Sequence, residues 1–200
     1  FLAFVLAAMF ITVDQATAAS FSFSPSSATF QQACSSKIDV LLDTQGISTN
    51  AADAIVLFNP AEVEIEDQNA TQAGLQIKSG NLYDLYPGNL VDNSQGRISL
   101  TGFSVMNTFS GSGLYGSIFF KSKPGVTSTT FQFQFVPGQS TDSNIADLAG
   151  NDVLNSVNTG SYTFQSGSCF PDVQAPVVDD VFPLNGATGV SLNTNVLFDL

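Results

Sequence analysis

The chain is expected to be all-β, an antiparallel β-sandwich. Three observations predict it: period-two alternation of apolar and polar residues, turn residues at short intervals between the alternating runs, and no helical period longer than about two turns. Such alternation marks half-buried strands with one face on a core and one in water. Two sheets with one apolar face each must then cover one another.

Taken in order, Phe21 and Phe23 fall on one face of the first strand, with Ser22 and Ser24 on the other. Residues 36–60 read as two strands joined by a polar turn. Ile38, Val40 and Leu42 alternate with Asp39, Leu41 and Asp43, and a Gly/Asn break leads to Ala54-Ile55-Val56-Leu57-Phe58-Asn59-Pro60. Glu62 to Glu66 points Val63 and Ile65 inward, and Arg97 to Thr101 does the same with Ile98 and Leu100. The most regular run is Thr130 to Phe135, where Phe131, Phe133 and Phe135 share one face and Thr130, Gln132 and Gln134 the other. Turns are expected at Pro87-Gly88-Asn89, Asn93 to Gly96, Gly111-Ser112-Gly113, Lys123-Pro124-Gly125, Pro137-Gly138 and Asn158-Thr159-Gly160.

Residues 1–18 are expected to be a signal peptide whose basic first part is missing. Phe1 to Val13 is almost unbrokenly apolar, and Ala16-Thr17-Ala18-Ala19 supplies small residues for cleavage. The run is shorter than the roughly 20 apolar residues of a membrane-spanning helix. This places the mature chain outside the cytoplasm, secreted or at the cell surface, with no membrane insertion after cleavage. The formal net charge is −12 with only five basic residues, so nucleic acid and anionic membranes would be repelled. The 18 phenylalanines must fill the core in the absence of tryptophan. Two cysteines in an exported chain suggest one disulfide, Cys34 to Cys169, because the first and last strands of such a sandwich lie close. A loop of more than 100 residues closed this way would stabilise the fold by about 4–5 kcal/mol.

Several segments, in their order, resemble a bacterial cohesin domain, a non-catalytic module of a superfamily that also contains cellulose-binding modules. The opening pieces are Asp43-Thr44-Gln45-Gly46, Asn50-Ala51-Ala52-Asp53-Ala54 and Phe58-Asn59-Pro60. Gly96 to Leu100 and Gly113 to Lys121 are similar to the family's middle strands. Pro124 to Thr129 leads into the Phe triplet, and Thr141 to Ala146 and Asp152 to Val157 lead into the last strand. The resemblance implies a jelly-roll sandwich over residues 20–165 and a dockerin-like protein partner, since scaffold cohesins bind a calcium-loaded dockerin. Residues 166–176 read as a linker. The segment 177–200, with Pro183, Asn185 to Val190 and Asn193 to Val196, resembles the truncated start of a bacterial Ig-like domain.

Catalytic chemistry finds little support in the residues. With zero histidines, Ser-His-Asp and Cys-His arrangements and His-based zinc sites cannot form. Glu62, Glu64 and Glu66 alternate along one strand, a solvated face more simply than an acid/base pair flanking a cleft. Asp142, Asn144, Asp147, Asn151 and Asp152 could offer oxygens to calcium, but Asx residues capping turns in a long loop are the favoured reading, so no metal or other cofactor is expected. Tyr83 and Tyr86 could form a sugar-stacking pair or pack under a loop.

The expectation is therefore a secreted or surface-displayed binding module, not an enzyme, which recognises a dockerin-like module or a polysaccharide in a multidomain extracellular protein. Thr130, Gln132 and Gln134 are its candidate contacts. The alternatives are a carbohydrate-binding module of a polysaccharide-degrading enzyme and a structural spacer of a surface-layer or adhesin protein. Far-UV circular dichroism of residues 20–168 should give a β-dominated spectrum. Helix above about one third, ordinary for mixed proteins, would overturn the sandwich.

Overall fold

The computed structural model describes residues 19–169, 180–182 and 197–199. Contacts divide the chain between Gly167 and Ser168 into two units. In the second, β14 (Asp180–Phe182) pairs antiparallel with β15 (Leu197–Asp199). The expected leader (1–18) and most of the expected linker and Ig-like segment lie outside the described residues.

The first unit is all-β with no helix among the described residues, two sheets forming a sandwich as expected. The first sheet contains β1 (Ala19–Ser24), β3 (Ser36–Asp43), β5 (Val63–Ile65), β6 (Lys78–Ser79), β9 (Ser112–Ser122) and β12 (Leu154–Val157), in the order β12-β1-β3-β9-β5 with β6 also on β9. The second contains β2 (Ser27–Gln31), β4 (Thr49–Phe58), β7 (Leu85–Asp92), β8 (Arg97–Phe103), β10 (Ser128–Phe133), β11 (Asn144–Asp147) and β13 (Thr159–Gln165), in the order β2-β13-β10-β4-β8-β7 with β11 also on β4. All pairs in the sandwich are antiparallel except β1 with β12 and β13 with β2.

The phenylalanines meet between the sheets. Phe131, fully buried on β10, lies 5.0 Å from Phe120 of β9, 5.9 Å from Phe58 and 6.0 Å from Tyr162 between ring centroids. Phe133 stacks on Phe23 at 4.4 Å and Phe21 at 5.5 Å, both on β1. Aromatic pairs in such offset or edge arrangements are worth about 0.5–1.5 kcal/mol each beyond the area they bury.

A β-bulge in β9 places the deepest polar anchor. Val40 pairs with Gly116 and Leu41 with Leu114, so Tyr115 between them has no partner across the ladder and turns into the core. Its hydroxyl accepts from the amide of Gly102 at 2.8 Å and donates towards the carbonyls of Ala52 and Leu100. A side chain of the first sheet thus bonds backbone of β4 and β8 in the second.

Some local expectations are corrected. Pro87-Gly88-Asn89 is not a turn: β7 runs through it. As the edge strand of its sheet, β7 loses no ladder bond at Pro87, a register shift between Leu85 and Gly88 absorbs the irregularity, and a Cβ at Gly88 would come within 2.7 Å of Thr101 Oγ1. The last turn shrinks to Asn158, where the chain crosses from β12 in one sheet to β13 in the other and the Asn158 side-chain Oδ1 accepts from the Phe23 amide at 2.8 Å. The Phe triplet strand ends at Phe133, because Ser143 approaches β4 and its hydroxyl bonds Ile55 N at 3.0 Å and Ile55 O at 3.2 Å. Phe135 lies beyond the strand and is only half-buried. The turn at Asn93 to Gly96 is present, and Gly96 takes φ +65° with its Cβ position 2.1 Å from Phe58 O, a place only glycine fits.

Tyr83 and Tyr86 form no exposed platform. Tyr83 is 4% exposed, with its hydroxyl 2.8 Å from Thr49 Oγ1 and its ring edge-on to Tyr115, while Tyr86 is half-buried against Tyr115 at 5.6 Å. Gly102 leaves the space both rings occupy. Both cysteines are in disulfide linkage and none is free.

Two predictions follow from this core. Tyr115→Phe should lower unfolding stability by about 1–3 kcal/mol, since a buried amide and two carbonyls lose a partner. A change below about 0.5 kcal/mol in denaturant titration would show that the hydroxyl does not tie the sheets. Burial pushes all four phenols up: Tyr83 to about 12 despite the Thr49 bond, Tyr115 well above the ordinary value, and Tyr86 and Tyr162 in the same direction. These groups are neutral when protonated and their folded values are raised. Their stabilisation is therefore complete below the unfolded value of about 10 and is lost as pH rises through the folded values. Absorbance at 295 nm should show the phenolate transition displaced above pH 10 in the folded protein, and stability should fall between about pH 10 and 12. A full four-tyrosine step near pH 10 with the fold intact would contradict the buried placement.

Candidate binding face

Along β4 the side chains of Ala54, Val56 and Phe58 enter the core, so Asp53, Ile55 and Leu57 face outward from the second sheet. Strand register extends that face in rows. Asp92, Arg97, Leu57, Gln132 and Thr159 lie side by side across β7, β8, β4, β10 and β13, and Leu90, Ser99 and Ile55 form the next row. Leu57 is 38% exposed in the middle of the first row and Leu90 56% exposed at the edge of the second. The face thus carries separated apolar side chains ringed by amides, hydroxyls and both signs of charge.

Two hollows open on it. One, of about 230 Å³, is lined by Leu57, Phe58, Asn59, Thr130 and Gln132, and brings together two of the three strand residues expected to make contacts. The third, Gln134, lies just past the end of β10: its backbone N–H still donates to Ile55 O, and its side-chain oxygen accepts from Arg97 Nη1 at 3.1 Å. The other hollow, of about 270 Å³, is lined by Asp53, Ile55, Arg97, Ser99, Thr101 and Asn144, with Ser140 to Asp142 on its wall. Arg97 stands between the two hollows because it lies directly beside Leu57 in the ladder.

Asp142 is 4% exposed. Its Oδ2 accepts from the Val136 amide, while its Oδ1 has no hydrogen-bond partner among the described residues. In the acidic loop Asp147 and Asp152 bond backbone amides of the loop itself. Asp147 caps its own turn, accepting from the amides of Ala149 and Asn151 at 2.8 Å each, and the Asn151 side chain holds its carboxyl below the usual range. Asp152 Oδ1 accepts from Ile145 N at 3.1 Å and Leu154 N at 3.0 Å. No group of three or more His, Cys, Asp or Glu able to hold a metal occurs among the described residues.

The three glutamates are also separated in role. Asn59 Nδ2 donates to Glu62 at 2.7 Å, Glu64 is exposed, and Glu66 pairs with Lys121 at 2.6 Å and accepts from Ser35 Oγ. These contacts anchor turns and the β5 edge.

Sequence reasoning missed Asp53, Leu57 and Arg97, and weighed Asp142 only as a calcium donor or a turn cap. Ile55-Val56-Leu57-Phe58 is apolar throughout, so alternation alone could not say which pair faces out. The Asx-rich run after Ser140 signalled a loop but not its return onto β4.

No protein-family model and no curated protein matches the sequence. Solved structures do match. A type II cohesin domain from the cellulosome of Acetivibrio cellulolyticus aligns with TM-score 0.58 and 12% identity, covering 72% of this chain and 95% of that one. CaCohA2 from Clostridium acetobutylicum aligns with TM-score 0.56 and 13% identity over 76% and 92%, and its complex with a CaDoc0917 variant with TM-score 0.57. The non-cellulosomal cohesin of the hyperthermophilic archaeon Archaeoglobus fulgidus gives TM-score 0.52 and 18% identity over 74% and 92%. The sandwich therefore has the fold of the cohesin modules.

Proposed function

We propose that this chain is a non-catalytic, cohesin-like module that binds a partner protein module of dockerin type on the outer face of the second sheet. The observation that carries this reading is the row Asp92-Arg97-Leu57-Gln132-Thr159, a solvent-facing stripe across five adjacent strands with an apolar side chain at its centre. A desolvated apolar centre within a polar rim is how protein interfaces are commonly built, and a few central side chains supply most of the energy. The two hollows would receive protruding side chains of the partner, with Arg97 and Asp53 setting charge preference. The cohesin fold of the neighbours supports the reading, as does the solution of one of them in complex with a second protein.

The setting we infer is extracellular, within a larger multidomain protein, with a sandwich domain spanning 20–165 and a disulfide from Cys34 to Cys169. A polysaccharide ligand receives less support. The four tyrosines are buried or half-buried and the chain has no tryptophan, which leaves no row of exposed tyrosine or tryptophan rings for a sugar to stack on.

The test is binding of the protein to a panel of dockerin modules and polysaccharides, read by calorimetry. Leu57→Asp with Gln132→Ala should weaken capture of a dockerin ligand at least tenfold, about 1.4 kcal/mol. Lys37→Ala, at an exposed ion pair of the first sheet, should leave it unchanged. Dockerin binding that is indifferent to the Leu57 and Gln132 changes would refute the face, and polysaccharide binding with no protein ligand would refute the partner class.

A further inference from the structure

The loop between β5 and β6 carries Asp67-Gln68-Asn69-Ala70-Thr71. Asparagine followed at the second place by threonine, with a residue other than proline between, is the acceptor pattern for an N-linked glycan on a surface loop of an exported protein. No other asparagine of the chain has serine or threonine at that place. Every residue from Asp67 to Gly74 is exposed or half-buried, so a transferase can reach the site.

The local bonding leaves the reacting atom at the surface. Asn69 Oδ1 accepts from Thr71 Oγ1 at 2.7 Å, while Asn69 Nδ2 donates to exposed Gln72 Oε1 over 3.3 Å, near the long limit of a hydrogen bond. Asp67 Oδ1 accepts from the amides of Asn69 and Gln76, each at 3.1 Å, clamping the base of the loop against buried Gln76. Asp67 also puts a carboxylate two residues before the asparagine, available to any transferase whose acceptor groove offers a basic side chain there.

We propose that Asn69 is an acceptor for an oligosaccharide delivered from a lipid-pyrophosphate donor, an inference that rests on the extracellular reading. In the transfer, Asn69 Nδ2 attacks the anomeric carbon of the first sugar and a C–N bond forms. The C–O bond to the lipid pyrophosphate breaks, the pyrophosphate leaves with the electron pair, and the amide proton passes to a base of the transferase. Nothing is oxidised or reduced. None of the residues of the cross-strand row lies in this loop, so the glycan and the binding face use different parts of the chain.

The test uses the full chain with a supplied export leader and a control acceptor sequence at its C-terminus, in a bacterial host carrying an oligosaccharyltransferase and its lipid-linked donor. Glycopeptide mass spectrometry should find one oligosaccharide on Asn69. Asn69→Gln and Thr71→Ala should lose it with an unchanged β spectrum, and Thr71→Ser should keep it. Asp67→Asn should lower occupancy several-fold with a transferase that requires the preceding acid and leave it unchanged with one that does not, a split that a loop clamp alone would not produce. A bare Asn69 in molecules whose control sequence is occupied overturns the proposal. Because the leader is supplied, that outcome is independent of the chain's own export, and dockerin binding is measured separately.

Discussion

The sandwich depends on one constraint: two sheets rich in phenylalanine must be held at a fixed offset, although apolar rings slide over one another at little cost. Ring contacts such as Phe131 with Phe120 and Phe133 with Phe23 supply adhesion. Hydrophobic burial is non-directional, so adhesion alone leaves the offset free. Tyr115 removes that freedom, because its hydroxyl must meet Gly102 N and the carbonyls of Ala52 and Leu100 together. An unmet amide or carbonyl in this interior costs about 1–3 kcal/mol, enough to select one alignment from its neighbours. The bulge in β9 is the backbone device that aims Tyr115 there, and Gly116 beside it leaves room for Leu100.

The binding face inherits its geometry from the same contact. Ala52, Leu100 and Gly102 belong to β4 and β8, the strands whose opposite sides present Asp53, Leu57, Arg97, Ser99 and Thr101. A face assembled on strands whose backbone is tied through the core is held in place before any partner arrives. Such preorganisation lowers the ordering cost of binding.

The interruption of β10 after Phe133 matters for a similar reason. Ser143 satisfies the amide and carbonyl of Ile55 where the ladder would otherwise continue, and Gln134 contributes a second bond to the Ile55 carbonyl. The backbone of β4 is therefore not left with an orphaned group at Ile55 as the returning chain walls the larger hollow with Thr141, Asp142 and Asn144. A long irregular loop thereby becomes part of the candidate site.

Much of the fold was legible in the sequence because a strand with one wet face writes its orientation into its own alternation. Val63 and Ile65, Ile98 and Leu100, Phe131 and Phe133 all face the core as their spacing implied. The same local logic failed where the deciding contact was distant. Pro87 and Gly88 signal a turn by composition, yet they occupy an edge strand because β8 is there to pair with. Ser27 to Gln31 became a strand only because β13 runs parallel beside it. Which side of the apolar run Ile55 to Phe58 meets solvent was likewise undecidable until β10 and β8 fixed its neighbours. The sequence by itself determined the all-β class, most strand positions and the absence of histidine chemistry, since these follow from residue type and period. Only the tertiary structure decided that Thr130 and Gln132 share a hollow with Leu57, that Gln134 turns to Arg97, and that Tyr83 and Tyr86 face inward. Those outcomes depend on which strands become neighbours, and strand pairing is a long-range choice that no local window contains.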